Sequence, residues 1–309
     1  MKKLMTLLVY LVLLILLFIF IKNNYNDFTS IPKISFRYLP LMIFLSFLGL
    51  YINGIRIKLF SSYYNINLKI KEWMGLAAIT VMGNYLTPRG GVIARGFYLK
   101  KIHNFPYATF LTTMTALYII RFLVYGLSGL LLTVLALIYL NIFNIWIFIA
   151  FLLLTLATLF LIFFPPEFRR RNNKILDWII NIINGWKLLS KDSRLLYKLS
   201  VYELFFVLIM GTRLFFAYRS FDLSVPIFII FIISIFSTIS TLISITPAGL
   251  GVTEFIITLS STFLGLTVAE GLQVALLDRL ASVIISFSFG LIYSYILMNN
   301  SNSQPRNFQ

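Results

Sequence analysis

Four arginines, Arg56, Arg121, Arg213 and Arg279, stand within or at the ends of long apolar runs. An ionisable side chain in hydrocarbon costs about 2.5 to 3.5 kcal/mol on insertion scales, so each needs a partner or a polar cavity. Glu203, Glu254, Glu270 and Asp278 lie in similar surroundings and offer four carboxylates for internal pairing. The chemical alternative is recognition: a guanidinium presents a planar fork of donors that matches a phosphate, so arginines facing a cavity would grip a phosphate-bearing headgroup. Asp278 and Arg279 are neighbours in sequence and point in different directions around a helix, so they require separate partners.

Two further charges are singled out by the segments that contain them. "LTPRGGVIAR" at 86–95 parallels "ITPAGLGVTE" at 245–254, aligning Thr87-Pro88 with Thr246-Pro247, Gly90 with Gly249 and Arg95 with Glu254. Pro88 and Pro247 each remove an N–H and end a helix. Gly90, Gly91, Gly249 and Gly251 then permit backbone conformations or close approaches that a Cβ forbids. Backbone exposed at such a break can serve a polar ligand where it lines a cavity. Arg95 and Glu254 hold equivalent places with opposite sign. Arg95 suits a lipid phosphate, and Glu254 suits an opposing amine or the completion of an arginine pair.

The elements that must position these groups follow from composition. Of the 309 residues, 60% are hydrophobic and only 12% charged, more apolar surface than one water-soluble core can hide. The apolar runs 4–21, 39–57, 107–140, 143–164, 200–218, 226–246 and 267–298 approach or exceed the ~20 residues that cross a bilayer as a helix. The expected fold is therefore an all-α polytopic membrane protein, one integral membrane domain over 1–309. It has six or more transmembrane helices, and run 4–21 is read as a retained first helix because no small-residue cleavage site follows it. Gly54-Ile55-Arg56 and Gly211-Thr212-Arg213 are offset by 157 residues, the two prolines by 159, and Arg121 and Arg279 by 158. These offsets predict a repeat whose halves are 39–164 and 200–298, joined by a basic linker over 165–199. Within the linker Ile175, Leu176, Ile179, Ile182, Ile183, Trp186 and Leu189 recur at helical spacing between lysines. That pattern suits an amphipathic helix on anionic headgroups, or a plain solvated linker.

Charge placement predicts orientation. With the N-terminus in the cytoplasm, eighteen of the 26 basic residues fall on the inside and four outside, as the positive-inside rule requires; the C-terminus then also lies inside. Segment 73–87 is too short to cross and is followed by Arg89, Arg95, Lys100 and Lys101, so it dips into the membrane and returns. The corresponding segment of the second half starts from the opposite face. The two halves are thus expected to be inverted copies, each with a proline-broken re-entrant hairpin, an organisation associated with alternating-access transporters.

Other chemistries find little support. The chain has no cysteine and one histidine, His103, which removes thiolate and histidine metal sites. No two carboxylates lie within four residues of one another, so no acidic cluster offers to hold a cation near a pyrophosphate. No metal, no cofactor and no catalytic residue is expected, and the chain is read as no enzyme. The net charge of +16 sits beside membrane segments and does not mark a nucleic-acid partner.

The residues "TPAGLGVTE" followed by "AEGLQVALLDRL", with "TPRGGVIARGFYLKK" in the first half, resemble the lysylphosphatidylglycerol synthase transmembrane, or flippase-like, family. The likeness extends over about 5–298. It implies a lipid-translocating module in the plasma membrane; in the synthases this module moves aminoacylated phosphatidylglycerol between leaflets, and a separate soluble domain makes the lipid. The chain, ending shortly after Arg306, leaves no room for that domain, so a soluble transferase would be a separate partner. It departs from the family pattern at Val92, where an acid is usual, and at Asp278, where the usual acid is Glu. The favoured function is translocation of a polar-headed phospholipid or other lipid-linked amphiphile, with anionic or phosphate-bearing lipids as partners. The alternatives are a membrane scaffold or membrane half of a lipid-modifying enzyme system, and an ion-coupled exporter of a small solute. Oligomeric state is not legible.

Overall fold

A computed structural model describes residues 34–164, 186, 192–243 and 246–303. The first apolar run and most of the basic linker lie outside the described residues, as do both termini. Among those described, all regular structure is helical. After a 3-10 turn at Phe36–Tyr38 come α1 (Leu39–Tyr63), α2 (Ile70–Leu86), α3 (Gly90–His103), α4 (Tyr107–Leu140) and α5 (Ile145–Phe163). The second half holds α6 (Ser193–Arg219), α7 (Ile227–Ile243), a 3-10 turn at Pro247–Gly249, α8 (Val252–Phe263) and α9 (Val268–Ser303).

Local chemistry sets several of these boundaries. Pro40 stands in the first turn of α1, where its missing N–H costs nothing. Asn144 caps α5 by accepting from the N–H groups of Trp146 and Ile147, and Asp192 caps α6 through Leu195. Glu72, Glu254 and Glu270 each sit three residues into a helix and reach back to accept a backbone N–H, from Lys69, Gly251 and Thr267 respectively. Glu270, one of the four carboxylates considered for arginine pairing, is thereby turned to the start of its own helix.

Among the described residues, five segments are long and apolar enough to cross a membrane: Phe36–Tyr63, Leu117–Leu140, Ile145–Phe163, Ser193–Arg219 and Val268–Asn299. The chain is a membrane protein. Helix α5 shows why: Phe151, Thr155 and Thr158 face the protein, while Leu153, Leu156, Phe160 and Phe163 are exposed, an arrangement that requires an apolar solvent. Trp146, Tyr139, Tyr197 and Tyr295, all exposed, lie near helix ends, where amphipathic rings suit the headgroup layer.

Both expected breaks are present. Helix α2 stops at Leu86 and α7 at Ile243, each 17 residues, or ~26 Å at the helical rise of ~1.5 Å per residue. The residue after each proline, Arg89 and Ala248, has a left-handed backbone with φ of 60° and 48°, so the two breaks share a turn chemistry as well as a sequence. In each half the helix after the break packs back against the helix before it. Break one is closed by a contact that sequence inspection missed. A Cβ on Gly83 of α2 would lie 2.8 Å from the Cα of Gly91, and one on Gly91 would overlap the Thr80 carbonyl, so the backbones of α2 and α3 touch directly.

Element order and key contacts recur between halves. A Cβ on Gly54 would meet the Trp73 ring and one on Gly211 the Phe231 ring, each at 2.5 Å; each Gly-x-Arg helix thus seats an aromatic ring from the helix that follows. Arg56 on α1 reaches Glu203 on α6, while Arg213 on α6 reaches Ser46 on α1 at 3.3 Å. Glu203 and Ser46 are themselves offset by 157 residues, so the two arginines reach positions at the same offset as their own. Helix α2 packs on α9 and α4 on α7, pairing each hairpin with the long helix of the other half. At the seams between halves, Met210 lies over Gly49, Met82 over Gly290 and Leu297 over Gly75.

Trp186, expected on a headgroup-facing stripe, is buried beside Leu195 and Leu199 of α6 and Ile119 and Ile120 of α4. Its indole is a core side chain here. The other stripe residues of the linker lie outside the described segments.

The glycine contacts separate hard from yielding neighbours. Gly91→Ala sets a Cβ against backbone and should cost about 3 kcal/mol, the upper end of overpacking penalties. Gly49→Ala meets only the mobile Met210 terminus, at 2.7 Å, and should cost less than about 1.5 kcal/mol. Thermal unfolding of the two purified variants checks the order.

Candidate functional site

A cavity of about 320 Å³ opens between the two halves, walled by α1, α2, α3, α4, α6, α7, α8, α9 and the second break. Six arginines line it: Arg56, Arg89, Arg95, Arg121, Arg213 and Arg279. Asn53, Thr80, Asn84, Tyr85 and Asp278 add polar groups, and Ala248 brings the second break to the wall.

Each arginine is held differently. Arg213 donates from Nε and Nη2 to the two oxygens of Asp278, both at 2.7 Å, a bidentate pair. Arg56 pairs with Glu203 and also donates to the side chain of Asn53. Arg121 lies 3.5 Å from the same Glu203, which in addition accepts from the Tyr125 hydroxyl at 2.6 Å. Glu203 is 2% exposed, so this one carboxylate, closed off from solvent, serves two guanidiniums.

Arg279 pairs with Glu254 and donates to the Gly249 carbonyl at 3.4 Å. It therefore fastens the second break to α9. Its guanidinium also lies 5.9 Å from the centre of the Tyr85 ring, and the Tyr85 hydroxyl is 3.1 Å from Ser282 of α9. The end of α2 meets the second break at this point. The Gly249 backbone, opened by φ of +68°, is thus used by a protein arginine.

Arg95 differs from Arg56, Arg121, Arg213 and Arg279 in having no carboxylate beside it among the described residues. It is 8% exposed, its guanidinium lies 5.3 Å from the Phe110 ring centre and contacts the Met114 sulfur, and its Nε, like Arg56 Nε and Arg279 Nη1, is buried with no hydrogen-bond partner. Of the sequence candidates, Arg56, Arg95, Arg121, Arg213, Asp278 and Arg279 share the cavity wall. Glu254 stands behind it: its carboxylate is divided between Arg279 and the Gly251 N–H. Pro88, Gly90, Gly91, Pro247, Gly249 and Gly251 shape the breaks and position the lining. Arg89, Asn53, Asn84 and Tyr85 were missed. Arg89 lies inside the first break, and Asn53 and Asn84 are polar residues in apolar runs, the signal that would have found them.

The repeat now has a chemical asymmetry. Glu203, Glu254 and Asp278, the carboxylates that meet these arginines, all belong to the second half, whereas the first half supplies Arg56, Arg89, Arg95 and Arg121. Six arginines against three carboxylates leave the cavity cationic, with the excess on the first-half wall.

This geometry sits in a recognisable sequence context. A family model described as the lysylphosphatidylglycerol synthase TM region matches residues 4–290. The chain belongs to this family. No curated protein and no solved structure matches it. The family places the arginine-lined cavity in a membrane region associated with a lipid synthase, which agrees with the helices that cross and the apolar surface they expose.

Glu203 has the most to lose by neutralisation. Glu203→Gln leaves Arg56 and Arg121 without their shared counter-ion and should destabilise the protein by about 3 to 5 kcal/mol, as breaking a buried ion pair does. Ser46→Ala, at the repeat-equivalent place, loses one 3.3 Å neighbour of an arginine that keeps Asp278, and should cost about 1 kcal/mol. Melting curves in one detergent give both values.

Proposed function

We propose that the protein moves a polar-headed lipid between membrane leaflets, holding the headgroup in the arginine-lined cavity while the acyl chains stay in the surrounding hydrocarbon. The observation that carries this reading is the cavity itself: guanidiniums gathered between two halves whose outer surfaces are apolar. Buried cations of this kind are costly, and unmatched ones mark a pathway for an ion or a charged group. The paired breaks, the reciprocal α1–α6 contact and the hairpins packed on the opposite half support an inverted repeat that exposes the headgroup to either side in turn. On this reading the headgroup bears phosphate, the two broken hairpins are re-entrant, and the chain itself performs no covalent chemistry.

The family description favours a second reading, in which the domain is the membrane half of a lipid-modifying system and works with a soluble transferase. The two readings part in a purified system. Full-length protein in liposomes with fluorescent phospholipid should let an impermeant reductant bleach both leaflets, against about half of the dye in protein-free vesicles. Bleaching of only the outer leaflet, with folded protein present, rejects translocation and leaves the second reading.

The same proposal sets the orientation. Because the chain has no cysteine, single cysteines report sides cleanly. A cysteine at Asn104 should label from the cytoplasm, and cysteines at Asn141 and Asp222 from the opposite face. Labelling of Asn104 and Asp222 from one side would overturn the inverted arrangement.

A further inference from the structure

In the second half, the break ends in a carboxylate, Glu254, and the long helix supplies the arginine that binds it, Arg279. The first half repeats both positions with arginines. Arg95 stands where Glu254 stands, and Arg121 where Arg279 stands, and both line the cavity. Arg121 and Arg56 act on Arg95 as repelling charges, and its favourable neighbours are the Met114 sulfur, the Phe110 face and Tyr118 rather than a carboxylate. Its Nε is buried without an acceptor, on a side chain more than nine-tenths enclosed. A buried donor of this kind ordinarily carries a cost of about 1 to 3 kcal/mol, more when charged, that an acceptor would remove. The anion that the second half carries as a side chain is missing from the first.

We propose that the substrate supplies it: a phosphate bearing two negative charges, a phosphomonoester, docks against Arg95 and Arg121 as the Glu254 carboxylate docks against Arg279. This inference rests on the translocation reading and specifies its substrate class. Charge decides between headgroups. Three positive charges remain in the cavity after internal pairing. A phosphodiester such as phosphatidylglycerol offsets one, and a phosphomonoester such as phosphatidic acid up to two. A lysylated phosphatidylglycerol, with two ammonium groups against one phosphodiester, brings a net positive charge and adds to the repulsion; the second half already pairs its carboxylates with Arg213 and Arg279. Val92, one turn from Arg95 on the cavity wall, offers no carboxylate either. The cavity selects a lipid whose polar end is an uncapped phosphate.

The test uses the full-length protein in detergent and in liposomes. Phosphatidic acid, phosphatidylglycerol, lysyl-phosphatidylglycerol and inorganic phosphate are each titrated while the melting temperature is followed. Phosphatidic acid should bind most tightly and the lysyl lipid least. Arg95→Gln should weaken phosphatidic acid about tenfold or more, the scale of a lost charge-assisted hydrogen bond, and Arg95→Lys should restore part of it. Arg95→Glu recreates the second-half pairing in the first half. It should melt no lower than the wild type without lipid and lose the response to phosphatidic acid. Tighter binding of the lysyl lipid, or equal binding of phosphatidic acid by wild type and Arg95→Glu, overturns the inference. A response to inorganic phosphate with none to phosphatidic acid upholds the anion site and moves its source from lipid to solution, which sinks the translocation reading. In liposomes, Arg95-dependent binding without movement of any lipid likewise rejects translocation while the site stands. Movement of all headgroups at one rate, unchanged in Arg95→Glu, keeps translocation and rejects the site.

Discussion

Glu203 accepts from Arg56 and Tyr125 and lies 3.5 Å from Arg121, so one enclosed carboxylate ties α6 to α1 and α4. On a soluble surface such pairs contribute at most about 1 kcal/mol. Among apolar helices the choice is different, because the arginines have no water to fall back on. Neither half balances its charges alone. The first half contributes guanidiniums, and among the described residues the acid that meets them, Glu203, comes from the second. The reciprocal contact, Arg213 with Ser46, lacks a carboxylate because Arg213 already has Asp278. A repeat of helices has thus become an unequal distribution of charge, and the cavity between the halves inherits the difference.

Much of this architecture is written locally. The prolines at 88 and 247 end their helices where elementary backbone chemistry says they must, and Arg89 and Ala248 adopt the same left-handed turn after them. The arginines could be singled out because a charge in an apolar run always needs an explanation. The divergence of Asp278 and Arg279 follows from 3.6 residues per turn, and the structure sends them to Arg213 and Glu254. Three motif pairs also stand at offsets that agree within two residues, and the residues they align meet similar neighbours in the structure.

What could not be read is anything that depends on which helices cross. Glu203, Glu254 and Glu270 look equivalent along the chain, yet one bridges two arginines, one pairs behind the cavity wall and one caps its own helix. Gly83 gives no sign of importance until α3 is laid against α2 and its backbone meets Gly91. Trp186 belongs to a plausible lipid-facing stripe, but the core formed by α4 and α6 offers the indole more contact than an interface does. Periodicity reports that a face is apolar. It does not report whether lipid or protein covers it.

The residues that fill the glycine seats give the molecule an uneven stiffness. Inside each half the seats hold rigid plates, Trp73 on Gly54 and Phe231 on Gly211, or a bare backbone, Gly91 on Gly83. At the seams the seats differ: the flexible Met210 terminus meets Gly49, whereas Leu297 meets Gly75 and the Cβ and sulfur of Met82 meet Gly290. A thioether terminus can re-seat where an indole ring or a backbone cannot, so of these contacts the α1–α6 crossing at Gly49 is the one that yields most easily.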